Sequence, residues 1–123
     1  MGAPMFKGLK GAGLGFRREL LPQLKSHDLG SIDFFEIAPE NWLYAGGRYE
    51  RDLRSFTERK AFACHGLSLS IGSSEELDLQ LLKDTRKFMD AHGIELYTEH
   101  LSWCSDDGHL YDLLPIPCTT EAV

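Results

Sequence analysis

Cysteine is scarce in this sequence: Cys64, Cys104 and Cys118 are the three present, an odd number with no Cys-x-x-Cys pair. That excludes a disulfide framework and a paired-thiol zinc site, and it fits reduced thiols in a cytoplasm. Basic runs are absent too. With 13 Lys+Arg against 19 Asp+Glu, the net charge is -6 and phosphates would be repelled, so nucleic acid is not an expected partner. No apolar stretch approaches the roughly 20 residues that cross a bilayer. Met1 to Lys10 carries lysines but no apolar h-region, so neither a membrane anchor nor a signal peptide is expected. Nucleotide fingerprints are also missing. Gly11-Ala12-Gly13-Leu14-Gly15-Phe16 lacks the third glycine of GxGxxG, and no Gly-Lys-Ser/Thr follows it.

What is present is an alternation of short apolar runs and amphipathic stretches. Strands are expected over Gly11–Phe16, Ile32–Ile37, Ala61–Leu69 and Ile94–His100. A short helix fits Leu20, Leu21 and Leu24, with Pro22 tolerated in its first turn. A second opens at Gly46-Gly47 and puts Tyr49, Leu53 and Phe56 on one face. A third reads as capped by Ser73 with Glu76, striped by Leu77, Leu81 and Phe88, and stopped by Gly93. Asp106-Asp107-Gly108 marks a turn, and two prolines make Leu113–Pro117 irregular.

Strands alternating with helices imply a parallel sheet of βαβ units. Their spacing fits a (β/α)8 TIM barrel, which takes about 250 residues. Four strands are half of one, and Thr119–Val123 reads as a helix cap and first turn. The expectation is that residues 1–123 form the N-terminal half of a TIM-barrel domain, truncated from a longer protein.

Two histidines stand where strands should end: His65, before Gly66, and His100, between Glu99 and Trp103. If the strands are parallel neighbours, both imidazoles emerge at one sheet edge, where α/β folds gather functional groups. Two neutral imidazoles near carboxylates suit a metal ion. The plainer alternative is that each bonds a backbone carbonyl. Glu36 at the end of the second strand, with Glu40 and Asn41 in the loop after it, adds oxygen donors. Glu36 shares a face with Phe34, where an inward carboxylate would demand a partner or a metal, and Glu40 serves the loop. A Cys64/His65/His100/Cys104 zinc site is disfavoured, because adjacent strand residues point to opposite faces. Cys118 is expected in an exposed loop, and His27, His92 and His109 on the surface.

Several segments together resemble one family. They are Gly13-Leu14-Gly15-Phe16-Arg17, Phe35 to Trp42, His65 to Ser73, Glu99 to Trp103, and Tyr111 to Pro117. The resemblance is to the DUF692 (UPF0276) family, the multinuclear non-haem iron-dependent oxidative enzymes. It implies a TIM barrel of the xylose-isomerase-like type with two or three irons at its mouth and dioxygen as cosubstrate. It implies a ribosomally made precursor peptide as substrate, oxidised at cysteine or other side chains, often with a small partner protein that presents it. His65 and His100 match the family's two N-terminal histidine ligands, and Glu36 and Asn41 match its second-strand motif. The remaining ligands come from later strands, so this chain alone is expected to be inactive. Two other functions stay open: a divalent-metal hydrolase or isomerase of the same barrel type, and a non-catalytic truncated or interaction chain.

Overall fold

The computed structural model describes residues 9–106 and 109–122. At its centre lies a parallel sheet of four strands: β1 (Gly13–Gly15), β2 (Phe34–Ile37), β3 (Ala61–His65) and β4 (Leu96–Thr98). Each strand pairs with the next one in the chain, in the order β1-β2-β3-β4. A doubly wound sheet reverses its strand order, whereas a barrel runs straight on. The connections carry α1 (Leu21–Ser26), α2 (Gly47–Thr57) and α3 (Leu79–His92). This α/β arrangement is that of a partial TIM-barrel-like fold.

Alternation along the strands sorts their side chains. Phe35 and Ile37 of β2, with Phe62 and Cys64 of β3, join the core that the helices complete through Leu21, Leu24, Leu53, Phe56 and Met89. Phe16 sits at its centre, its ring 5.1 to 5.4 Å from those of Phe35, Trp42, Phe56 and Phe62. The other face carries the row Gly15, Glu36, Ala63 and Leu96, set side by side by the register.

The strands are shorter than expected, and each stops where a loop takes over. β3 ends at His65 and not at Leu69, and β4 ends at Thr98 and not at His100. The third helix starts later as well. Its cap is Asp78, whose carboxylate accepts the Leu81 N–H at 2.9 Å, so the Ser73–Glu76 capping box does not form and Leu77 precedes the helix. Ser73 is used elsewhere: its hydroxyl accepts the Glu75 N–H and donates to the Ser105 carbonyl. Gly93 stops α3 as expected, in the left-handed region at φ 65°.

After β4 the chain forms an antiparallel hairpin, β5 (Ser102–Asp106) and β6 (His109–Pro115). Asp107 and Gly108 of the expected turn lie outside the described residues. The reading of Leu113–Pro117 as irregular fails as far as Pro115. That proline is the last residue of a strand in a two-stranded sheet, where a missing N–H is tolerated. The hairpin docks on the loop after β3. Buried Ser70, at φ 55°, accepts the Cys104 and Ser105 N–H groups on its hydroxyl, and the Gly72 N–H donates to the Ser102 carbonyl. Among the described residues no helix is long and apolar enough to cross a membrane.

Candidate metal centre

The carboxyl ends of β1 to β3 and the loop beyond β4 surround a cleft of about 750 Å³. Gly15, Glu36, Asn41, Trp42, His65 and His100 are among its walls. The structure thus brings all four sequence-selected residues to one opening. Trp42 forms part of the wall, whereas Trp103 lies in β5.

The two histidines meet closely. Their Nε2 atoms are 2.9 Å apart and their ring centroids 4.4 Å. His65 is the last residue of β3, paired in register with Thr98 of β4. Its Nδ1 lies 2.8 Å from Thr98 Oγ1, and that hydroxyl donates to the Cys64 carbonyl at 3.4 Å. A hydroxyl already donating can only accept from the imidazole. The network therefore assigns the proton to His65 Nδ1 and a lone pair to its Nε2.

The 2.9 Å contact then needs one proton between the Nε2 atoms, supplied by His100. Replacing that proton with a cation leaves two lone pairs aimed at one point. Metal–nitrogen bonds of about 2.0–2.1 Å at a right angle put two ligand nitrogens about 3 Å apart, so the pair fits a shared ion. Imidazoles suit iron, zinc, copper or nickel. The fit is partial in number. Among the described residues no three His, Cys, Asp or Glu side chains gather closely enough to hold an ion.

The carboxylates divide by role. Glu36 is exposed on the cleft wall, on the same face as Phe34 as expected, between the small neighbours Gly15 and Ala63. Glu40 turns away from the cleft. Its Oε1 accepts the Leu67 and Ser68 N–H groups, at 2.7 and 3.1 Å, and the Ser68 hydroxyl at 3.3 Å. It thereby ties the turn Pro39–Asn41 to the loop after His65, while its Oε2 is buried with no hydrogen-bond partner among the described residues. Asn41 is exposed, and its carbonyl accepts from Arg18, whose guanidinium lies over the Trp42 and Tyr49 rings.

None of the three cysteines is among the residues that line the cleft. Burial pushes the Cys64 thiol up to about 12, with the Glu40 charge adding to it, so it stays protonated near neutrality. Cys64 lies in the core while its neighbour His65 reaches the cleft, the opposition that disfavours a shared zinc site. Cys104 is buried and its Sγ points to the Leu67 carbonyl, and Cys118 is exposed. His27 and His109 are exposed, but His92 is half-buried. It is hydrogen-bonded to Thr57, so that surface assignment is corrected. Thr98 and Ser70 were not singled out by sequence reasoning, and Glu40 was read only as serving its own loop. Their one visible signal is a small or polar side chain beside a strand end.

Several known proteins are similar to this chain in sequence. A UPF0276 protein of Nitrosospira multiformis is 65% identical over 118 residues, covering 96% of this chain and 42% of its own length. Similar proteins from Shewanella amazonensis and Pseudomonas aeruginosa are 58% and 51% identical, each over 40% of its length. The chain thus spans about two fifths of the curated relatives it matches. The family profile described as RiPP precursor modification enzyme MbnB/TglH/ChrH matches residues 11–123, through every strand and helix that builds the cleft. With that span and those identities, this chain belongs to the MbnB/TglH/ChrH family of RiPP precursor modification enzymes.

Proposed function

We propose that residues 1–123 are the N-terminal half of a TIM-barrel domain, and that they supply the His65–His100 side of an iron site in an oxidative precursor-peptide-modifying enzyme. The observation that carries this reading is the 2.9 Å approach of two Nε2 atoms, one fixed as a lone-pair donor through Thr98. Two or three irons, completed by donors from outside the described residues, would bind and activate dioxygen. His65 and His100 would hold one of them.

The chain's other residues bind and exclude. Glu36 and Asn41 stand on the same wall and are proposed to contact the iron-site ligands or the entering peptide. The open cleft admits an extended segment such as a precursor peptide carrying a cysteine, and Trp42 gives it an apolar wall. A small peptide-presenting partner would deliver that segment.

Metal analysis and oxygen uptake with the precursor peptide test the proposal in the whole protein. His65→Ala with His100→Ala is expected to lower bound iron by at least one ion per chain and to abolish peptide-dependent oxygen uptake. Iron and turnover at the parent level would sink the assignment. Turnover undiminished without dioxygen would point instead to the oxygen-independent hydrolase or isomerase.

A further inference from the structure

His100 raises a question that His65 does not. His65 belongs to β3, so the sheet ladder and Thr98 hold it. His100 lies two residues past the end of β4, outside any ladder. A loop histidine with that freedom has no inherent reason to meet His65 at 2.9 Å. We infer that Glu99 is a positioning residue: its carboxylate, clasped by Tyr97 and seated on bare Gly66, fixes the backbone at His100 so that the two imidazoles meet. The functional meaning rests on the iron-site reading above.

Three contacts carry the inference. The His100 N–H donates to Glu99 Oε1 at 2.9 Å, closing the loop directly at the histidine. The Tyr97 hydroxyl, carried by β4, donates to Glu99 Oε2 at 3.0 Å. A Cβ at position 66 would lie 2.0 Å from Glu99 Oε2 and 2.6 Å from the Tyr97 hydroxyl, so a side chain there would displace the carboxylate from this seat. Gly66 does not have a positive φ, so the requirement there is for space and not for an unusual backbone. The Gly66 N–H in turn donates to the Thr98 carbonyl at 2.8 Å, joining the loop ends of β3 and β4. Both Glu99 oxygens are committed to protein donors. Glu99 is not among the residues that line the cleft, so its role there runs through His100. Burial, followed by the bond to Glu99 and its charge, holds the Tyr97 phenol well above its ordinary range, which keeps it a donor.

The test uses the whole protein with two readouts. One is the affinity for Co²⁺ alone. The other is the nuclear Overhauser contact between the two imidazole rings, recorded with chelator present. Glu99→Ala is expected to weaken Co²⁺ binding about 10–100-fold, the usual effect of removing a ligand's support, and to erase the ring–ring contact. Glu99→Gln should retain both, because its amide oxygen still accepts from the His100 N–H. Gly66→Ala should reproduce the alanine phenotype by expelling the carboxylate.

Parent-like affinity and ring contact in Glu99→Ala would overturn the inference, as would equal losses in Glu99→Gln. If Glu99→Ala does not fold, Tyr97→Phe decides. It should weaken both readouts, and no change in either would count against the clamp. Undiminished Co²⁺ binding in the His65→Ala, His100→Ala variant would remove the metal reading alone. The ring contact would still report on Glu99.

Discussion

Glu40 shows how one side chain can shape a site without facing it. One carboxylate oxygen gathers two backbone N–H groups and a hydroxyl from Leu67 and Ser68, just beyond His65 and Gly66. Removing it strands the part-buried Ser68 donors, where an unmet group costs about 1–3 kcal/mol. Glu40→Ala is therefore expected to lower stability by about that amount and to speed amide exchange at Leu67 and Ser68. Exchange at parent rates would show that the clamp contributes nothing. At this scale the sequence was partly legible. Strand-end logic singled out His65, His100, Glu36 and Asn41. Glu40 read as a residue serving its own loop, because nothing in a linear sequence shows that Leu67 and Ser68 lie beside it. Thr98 was invisible for the same reason, since its role depends on the β3–β4 register.

At the scale of elements, the choice of cap for α3 is instructive. Ser73 and Asp78 are both good N-cap residues, and the Ser73–Glu76 spacing mimics a capping box. The hairpin claims Ser73 for the Ser105 carbonyl, and Asp78 is left to begin the helix. Asp78→Ala is thus expected to destabilise the fold by about 1 kcal/mol in chemical denaturation and to fray the first turn of α3. Ser73→Ala should leave that turn intact and loosen β5 instead, a contrast that amide exchange resolves. A turn at Asp106-Asp107-Gly108 is expected from the sequence, but the length of the strand after it is not, because two prolines in five residues argue against a strand. Pro115 closes β6 at its final position, where the ladder asks nothing of its nitrogen. Elements with long apolar periodicity, α2 above all, were read with little error.

The whole molecule is organised around Phe16. It follows a three-residue strand too short and too glycine-rich to hold itself, and its N–H donates to the Glu36 carbonyl at 2.7 Å. Its ring then touches aromatic neighbours from β2, β3, α2 and the loop after β2. Truncating a buried phenylalanine costs about 3–5 kcal/mol. Phe16→Ala should lower the denaturation midpoint by a corresponding amount, more than any of the substitutions at the cleft. A small shift would mean that β1 is held by other contacts.

The sequence by itself determined the alternation of strands and helices, the α/β class, the family and the placing of two histidines near neighbouring strand ends. Those features are local patterns or ordered motifs, and they survive being read one residue at a time. Only the tertiary structure decided that the imidazoles meet at 2.9 Å across 35 residues of chain, and that Glu40 clamps a loop 27 residues away. It also turned Glu99 inward to hold His100 rather than out to the cleft. The physical reason is that side-chain hydrogen bonds are short-ranged and directional. Their partners are set by strand register and by loop paths, and a linear sequence prints neither.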